Sequence, residues 1–230
     1  MTLVAFVPEE KIGLTDGRRA HSRRELIADG AVHVLGIVFG VGGAALLLNV
    51  AAGQSDAFKL ISVLVYALGL IAMLGASAAY NIGYHTGWRS FFRRCDHCAI
   101  FLMIAGTYTP FILHYFGGVA AVALTSAVWF ASLFGIGLKL VSPRLFEKLS
   151  VGLYLLLGWF SVMVFAPCFS AMDASTVAML VAGGLLYTGG VAFHLWERLP
   201  FQNAIWHVFV LGAAICHYNA VLGGIVNAGA

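Results

Sequence analysis

Long apolar runs separated by short polar breaks dominate the chain. Seven stretches are long and apolar enough to cross a bilayer, at about 31–52, 58–81, 97–115, 119–140, 150–168, 175–195 and 204–226. The breaks carry turn-forming residues: Gly53-Gln54-Ser55-Asp56, Gly117-Gly118, Ser142-Pro143, Asp173 and Leu199-Pro200. The pattern predicts an all-α membrane protein, a seven-transmembrane helix bundle over residues 31–230, preceded by a polar tail over 1–30. No internal repeat or low-complexity tract interrupts it. Composition agrees: of 230 residues 61% are hydrophobic and only 10% charged, which excludes a soluble enzyme and a disordered chain.

Charge placement orients the bundle. All but Lys59 of the 13 lysines and arginines fall in the tail or in the second, fourth and sixth connections. By the positive-inside rule this predicts a cytoplasmic N-terminus and, with an odd number of spans, a C-terminus outside. The tail lacks the apolar core and cleavage site of a signal peptide, so the first span is expected to serve as the targeting signal. Gly36 and Gly40 form a GxxxG pair, expected to serve close helix packing rather than specific dimerisation. Trp88, Trp196 and Trp206 suit an interfacial belt, and Trp129 and Trp159 the core.

Polar side chains within the spans are costly in hydrocarbon and mark candidate sites. They gather at one end. Ser77 and Asn81 close the second span, Asp96 and His97 open the third, His194 closes the sixth, and Asn203 and His207 open the seventh. His33 stands at the start of the first span and His85 follows the second. Ser77/Asn81 and Asn203/His207 are each four residues apart and share a helix face. Ser77 and His207 then lie at similar depth, about one 5.4 Å turn above Asn81 and Asn203. Asp96 reads as the acidic residue at the hydrocarbon edge, in need of a cation, a histidinium or several donors, or else as an N-terminal helix cap. His97 is expected to turn away from it. His114 reads as an interface residue on the opposite side, and His217 lies too far above His207 to share a ligand set. Cys95 and Cys98 are half of a zinc pattern without a second pair, and read as ordinary thiols.

The run Asp96-His-Cys-Ala-Ile-Phe-Leu-Met-Ile-Ala-Gly-Thr-Tyr-Thr-Pro-Phe111 resembles the signature of hemolysin III-like proteins, the bacterial branch of the progestin and adipoQ receptor family. Matches around His33, at Ser77-Ala-Ala-Tyr80 and at Asn203-Ala-Ile-Trp-His207 extend the resemblance over nearly the whole chain. It implies a bacterial inner-membrane location and a zinc ion in the cytoplasmic half of the bundle. The family's pattern is Ser-x-x-x-His, Asp and His-x-x-x-His, which carries over to Ser77, Asp96 and His207. The two remaining histidine positions are Asn81 and Asn203. An amide oxygen is a weak, hard donor poorly matched to zinc. The substitutions therefore point to a degenerate metal site, with His207 as the remaining candidate ligand and a hydrogen-bonded network in place of the ion. A displaced site using His33, His85 or His194 stays open, because no spacing selects it.

Three functions compete. The first is a non-catalytic protein of membrane and lipid homeostasis or sensing, with membrane lipids as partners and no nucleic acid. The second, implied by the resemblance, is a zinc-dependent hydrolase of lipid amides, with Ser77 and Asp96 as candidate catalytic residues. The third is membrane lysis, to which the helices, lacking an amphipathic lumen-lining segment, are poorly suited. No repeat or broken-helix pair suggests a transporter. The sequence leaves the oligomeric state open.

Overall fold

A computed structural model describes residues 22–54, 56–83, 87–141 and 146–226. Most of the tail, His85 and Arg144 lie outside the described residues. Among the described residues, seven helices are long and apolar enough to cross a membrane: α1 (Arg23–Ala52), α2 (Ala57–Ile82), α3 (Arg89–Tyr115), α4 (Gly118–Val141), α5 (Phe146–Phe165), α6 (Ala174–Leu195) and α7 (Gln202–Val221). A 3₁₀ segment, Ala166–Ala171, extends α5, and a π turn, Leu222–Val226, extends α7. Among the described residues there is no strand.

α1 begins eight residues before the expected start at position 31. Its N-terminus is fixed by a capping box: the Glu25 amide donates to Ser22 Oγ at 3.3 Å, and the Ser22 amide donates to Glu25 Oε2 at 2.7 Å. The inward stripe of α1 is Glu25, Asp29, His33, Gly36, Gly40, Ala44, Leu47 and Ala51. This is a single helical period running from acidic through imidazole to glycine and apolar residues. Asp29 and Glu25 therefore belong to the packed face of a helix, and Asp96 is not alone among acidic residues at this end of the bundle.

Glycines bring the helices close enough to hold that stripe in place. A Cβ at Gly40 would stand 2.9 Å from the Leu74 side chain, so the GxxxG pair packs α1 on α2 within the chain. Gly69 of α2 and Gly106 of α3 face each other's backbones, each leaving only 3.3 Å between an added Cβ and a carbonyl oxygen across the contact. α3 continues through Pro110, with Thr109 Oγ1 bonded back to Ala105 O at 2.8 Å and also accepting from Trp129 Nε1 of α4 at 3.1 Å. Tyrosine hydroxyls tie further pairs: Tyr108 donates to Leu157 O, Tyr154 to His97 O and Tyr218 to Gly43 O. Trp159, expected in the core, is 37% exposed and donates to Thr188 Oγ1 across the α5–α6 seam.

α7 starts from Phe201, whose φ of 59° lies in the left-handed region. A side chain there costs of order 1 kcal/mol. The Glu25 carboxylate offsets it by accepting the Phe201 amide at 2.7 Å. One buried glutamate thus caps α1 and anchors the entry to α7, and these are the two helices that carry the site below.

Candidate metal centre and cavity

A cavity of about 910 Å³ runs up the inside of the bundle. One stripe of α3 lines it from end to end: Arg89, Arg93, Asp96, Ile100, Met103, Thr107 and Phe111. At 1.5 Å per residue this stripe spans about 33 Å. The wall changes from basic, through acidic, to apolar as it rises.

All five residues of the expected polar cluster, Ser77, Asn81, Asp96, Asn203 and His207, line this one cavity. Ser77 is a side-chain hydrogen-bond partner of Asp96, and His207, His33 and Lys139 stand within electrostatic reach of that carboxylate. Asn81 turns along its own helix, with Nδ2 donating to Ser77 O at 2.9 Å. Lys139, expected beside a cytoplasmic loop, is buried in α4 and reaches Ser150 Oγ at 3.4 Å. His97, expected to turn away, also lines the cavity. His217 bonds Leu180 O at 3.3 Å through Nε2, well apart from His207. Cys95, Cys98, Cys168 and Cys216 are all free thiols.

Among the described residues, Asp29, His33 and His207 form a group that could hold a metal ion, with one donor atom from each all within 4.8 Å of one another. Asp29 Oδ1 meets His207 Nδ1 at 2.6 Å, and Asp29 Oδ2 stands 3.6 Å from His33 Nε2. The two imidazoles lie with ring centroids 4.3 Å apart. His33 is selected from the three alternative histidines by the i,i+4 step that places it one turn above Asp29. His194 instead packs beside Trp206, with ring centroids 5.0 Å apart.

The trio passes a chemical test of fit. Among the described residues, buried His33 Nε2 makes no hydrogen bond within 3.5 Å, and Asp29 Oδ2 stands 3.6 Å from it, a contact too long to satisfy it fully. Two imidazoles and a carboxylate are a common catalytic zinc set, leaving a fourth position open. Ligand atoms in a tetrahedral zinc site lie about 3.3 Å apart, given bonds of about 2.0–2.1 Å. The Asp29–His33 separation of 3.6 Å is close to that edge, while the Asp29–His207 contact of 2.6 Å is a hydrogen bond whose shared proton a cation would displace. Sequence reasoning missed Asp29 because a hydropathy window ends the first span at His33's doorstep. The Ser22-x-x-Glu25 cap and the i,i+4 step from Glu25 through Asp29 to His33 carried the signal.

These features define a class: a multi-pass helical membrane protein with a polar, ligand-rich pole inside a long internal cavity. The pattern of the family described as "Haemolysin-III related" matches residues 23–218, and the chain belongs to that family. It is 31% identical over 199 residues to a "Hemolysin-3 homolog" of Bacillus subtilis (strain 168), covering 86% of this chain and 93% of that protein. It is 33% identical over 199 residues to "Hemolysin-3" of Bacillus cereus, covering 86% and 91%. The human "Monocyte to macrophage differentiation factor" is 27% identical over 215 residues, covering 90% and 87%.

Proposed function

We propose that this protein is a metal-dependent hydrolase of lipid amides, with a zinc ion held by Asp29, His33 and His207. The gathering of Asp29, His33 and His207, with one donor atom of each within 4.8 Å of the others, is the observation that carries this reading. The positive-inside rule supports a bacterial inner-membrane orientation with the basic pole, and therefore the site, on the cytoplasmic side.

When bound, the ion supplies Lewis acidity toward a carbonyl. The remaining work falls to the chain. The upper cavity takes the acyl chain between Met103, Phe111 and Phe165 and excludes water from it. Asp96, oriented by its hydrogen bond to Ser77, takes up the proton released when water adds to the amide carbon and returns it to the departing nitrogen. Asn81 and Asn203 replace the ligands expected from the family pattern, and Asp29 with His33 supplies an alternative pair from α1. Purified protein incubated with N-acylethanolamines and ceramides should release fatty acid, with His33→Ala and Asp96→Asn each lowering the rate at least about 10²-fold. Release unaffected by either change contradicts the assignment.

A second reading, a metal-free lipid sensor in membrane homeostasis, is favoured by one feature. Asn81 is satisfied by Ser77 O, and Asp29 by His207, without an ion. Lipid binding with neither metal nor hydrolysis distinguishes it.

A further inference from the structure

The cavity has a feature that hydrolysis of a neutral lipid amide does not use. Below Asp96, its wall is made by Arg89 and Arg93, one helical turn apart on the same face of α3. The Arg89 guanidinium lies over the Tyr80 ring, its Cζ 5.6 Å from the ring centroid. Its Nε is buried and has no hydrogen-bond partner among the described residues. A guanidinium held beside an aromatic ring, with donors that the described residues leave unmet, suits charge-assisted contact with an anion. Lys139 stands within electrostatic reach of Arg93 and adds to the positive field, while Glu197 at the same end opposes it.

Resting on the hydrolase reading above, we propose that Arg89 and Arg93 form an anion subsite that selects amphiphiles with a carboxylate or phosphate head. The rise from Arg93 to Asp96 is about 4.5 Å. An anion on the arginines therefore stands about one turn of α3 below Asp96, in the cavity that the Asp29–His33–His207 trio also lines, with the chain running up the apolar wall. N-acyl amino acids have this build: one acyl chain, an amide, and a carboxylate one carbon beyond the nitrogen.

The test compares N-palmitoylglycine with N-palmitoylethanolamine, which share chain and amide and differ in the charge of the head. Binding to the full chain in detergent is read by tryptophan quenching, since Trp159 and Trp206 line the cavity. N-palmitoylglycine should bind at least about tenfold tighter, the equivalent of one charge-assisted hydrogen bond. Arg89→Gln with Arg93→Gln should erase the preference, and Arg89→Lys with Arg93→Lys should keep part of it. Equal binding of the two amphiphiles by the unaltered protein, or a preference that survives the double glutamine change, overturns the proposal. Sodium phosphate binding as tightly as N-palmitoylglycine overturns it too, because the subsite would then serve a free anion. If the double variant does not fold, Arg89→Gln and Arg89→Lys singly carry the same comparison. Repeating the titration in EDTA separates the two readings: a charge preference that persists without metal and without hydrolysis sustains the subsite while the hydrolase assignment fails.

Discussion

The Asp29 carboxylate and the His207 imidazole meet at 2.6 Å across 178 residues of sequence, joining the first helix to the last. The contact closes the polar pole of the bundle, with His33 Nε2 3.6 Å from the other oxygen of the same carboxylate. It ties α1 to α7, and the proposed ion would take the place of its shared proton.

Asp29→Asn keeps the side chain's shape and removes its charge. Replacing this charge-assisted hydrogen bond should cost about 1–3 kcal/mol of stability. The loss should appear as a lower midpoint in thermal unfolding followed by size-exclusion chromatography. A midpoint equal to that of the unaltered protein refutes the bond's structural role.

Glu25 acts on the same two helices through backbone contacts. Glu25→Ala removes the capping box and leaves the Phe201 amide without its acceptor. A loss of about 1–3 kcal/mol is expected. Metal content, where present, should survive in the folded fraction, because Glu25 is outside the trio. Loss of metal from a normally stable Glu25→Ala protein contradicts this division of roles.

The α2–α3 crossing depends on missing side chains. Gly106→Ala and Gly69→Ala each push a methyl group to 3.3 Å from a carbonyl oxygen of the opposite helix. Each should destabilise by about 1–3 kcal/mol. Gly42→Ala meets nothing within 4 Å and should be neutral or slightly stabilising. The same midpoint measurement compares all three, and an equal response would refute the close crossing.

Positions 81 and 203 line the same cavity as the trio. In an Asp29→Asn background that has lost metal, Asn81→His with Asn203→His should restore about one zinc per chain by elemental analysis. A folded triple variant without zinc would show that these positions do not converge on the site of His207.

The spans were legible because bilayer thickness forces long apolar runs, and hydropathy finds those directly. Ser77, Asn81, Asp96, Asn203 and His207 were legible as polar positions at similar depth, and all five line one cavity, which the sequence did not indicate. Asp29 was not legible by that route. A window that averages hydropathy assigns charged residues to solvent, whereas Glu25, Asp29 and His33 repeat every four residues as the continuation of a buried stripe. The 2.6 Å contact between α1 and α7 depends on how the first and last helices close the bundle, and no spacing within either helix encodes it. Lys139 read as a loop-side cation, whereas it is buried in α4 and bonds Ser150 of α5, a contact that helix packing and not hydropathy sets.

The most direct test of the central claim is elemental mass spectrometry of the protein purified in detergent without chelators, beside His33→Ala and His207→Ala. The account predicts about one zinc per chain, lost in both variants while each remains folded. Protein without stoichiometric metal, or zinc retained in both variants, would contradict it.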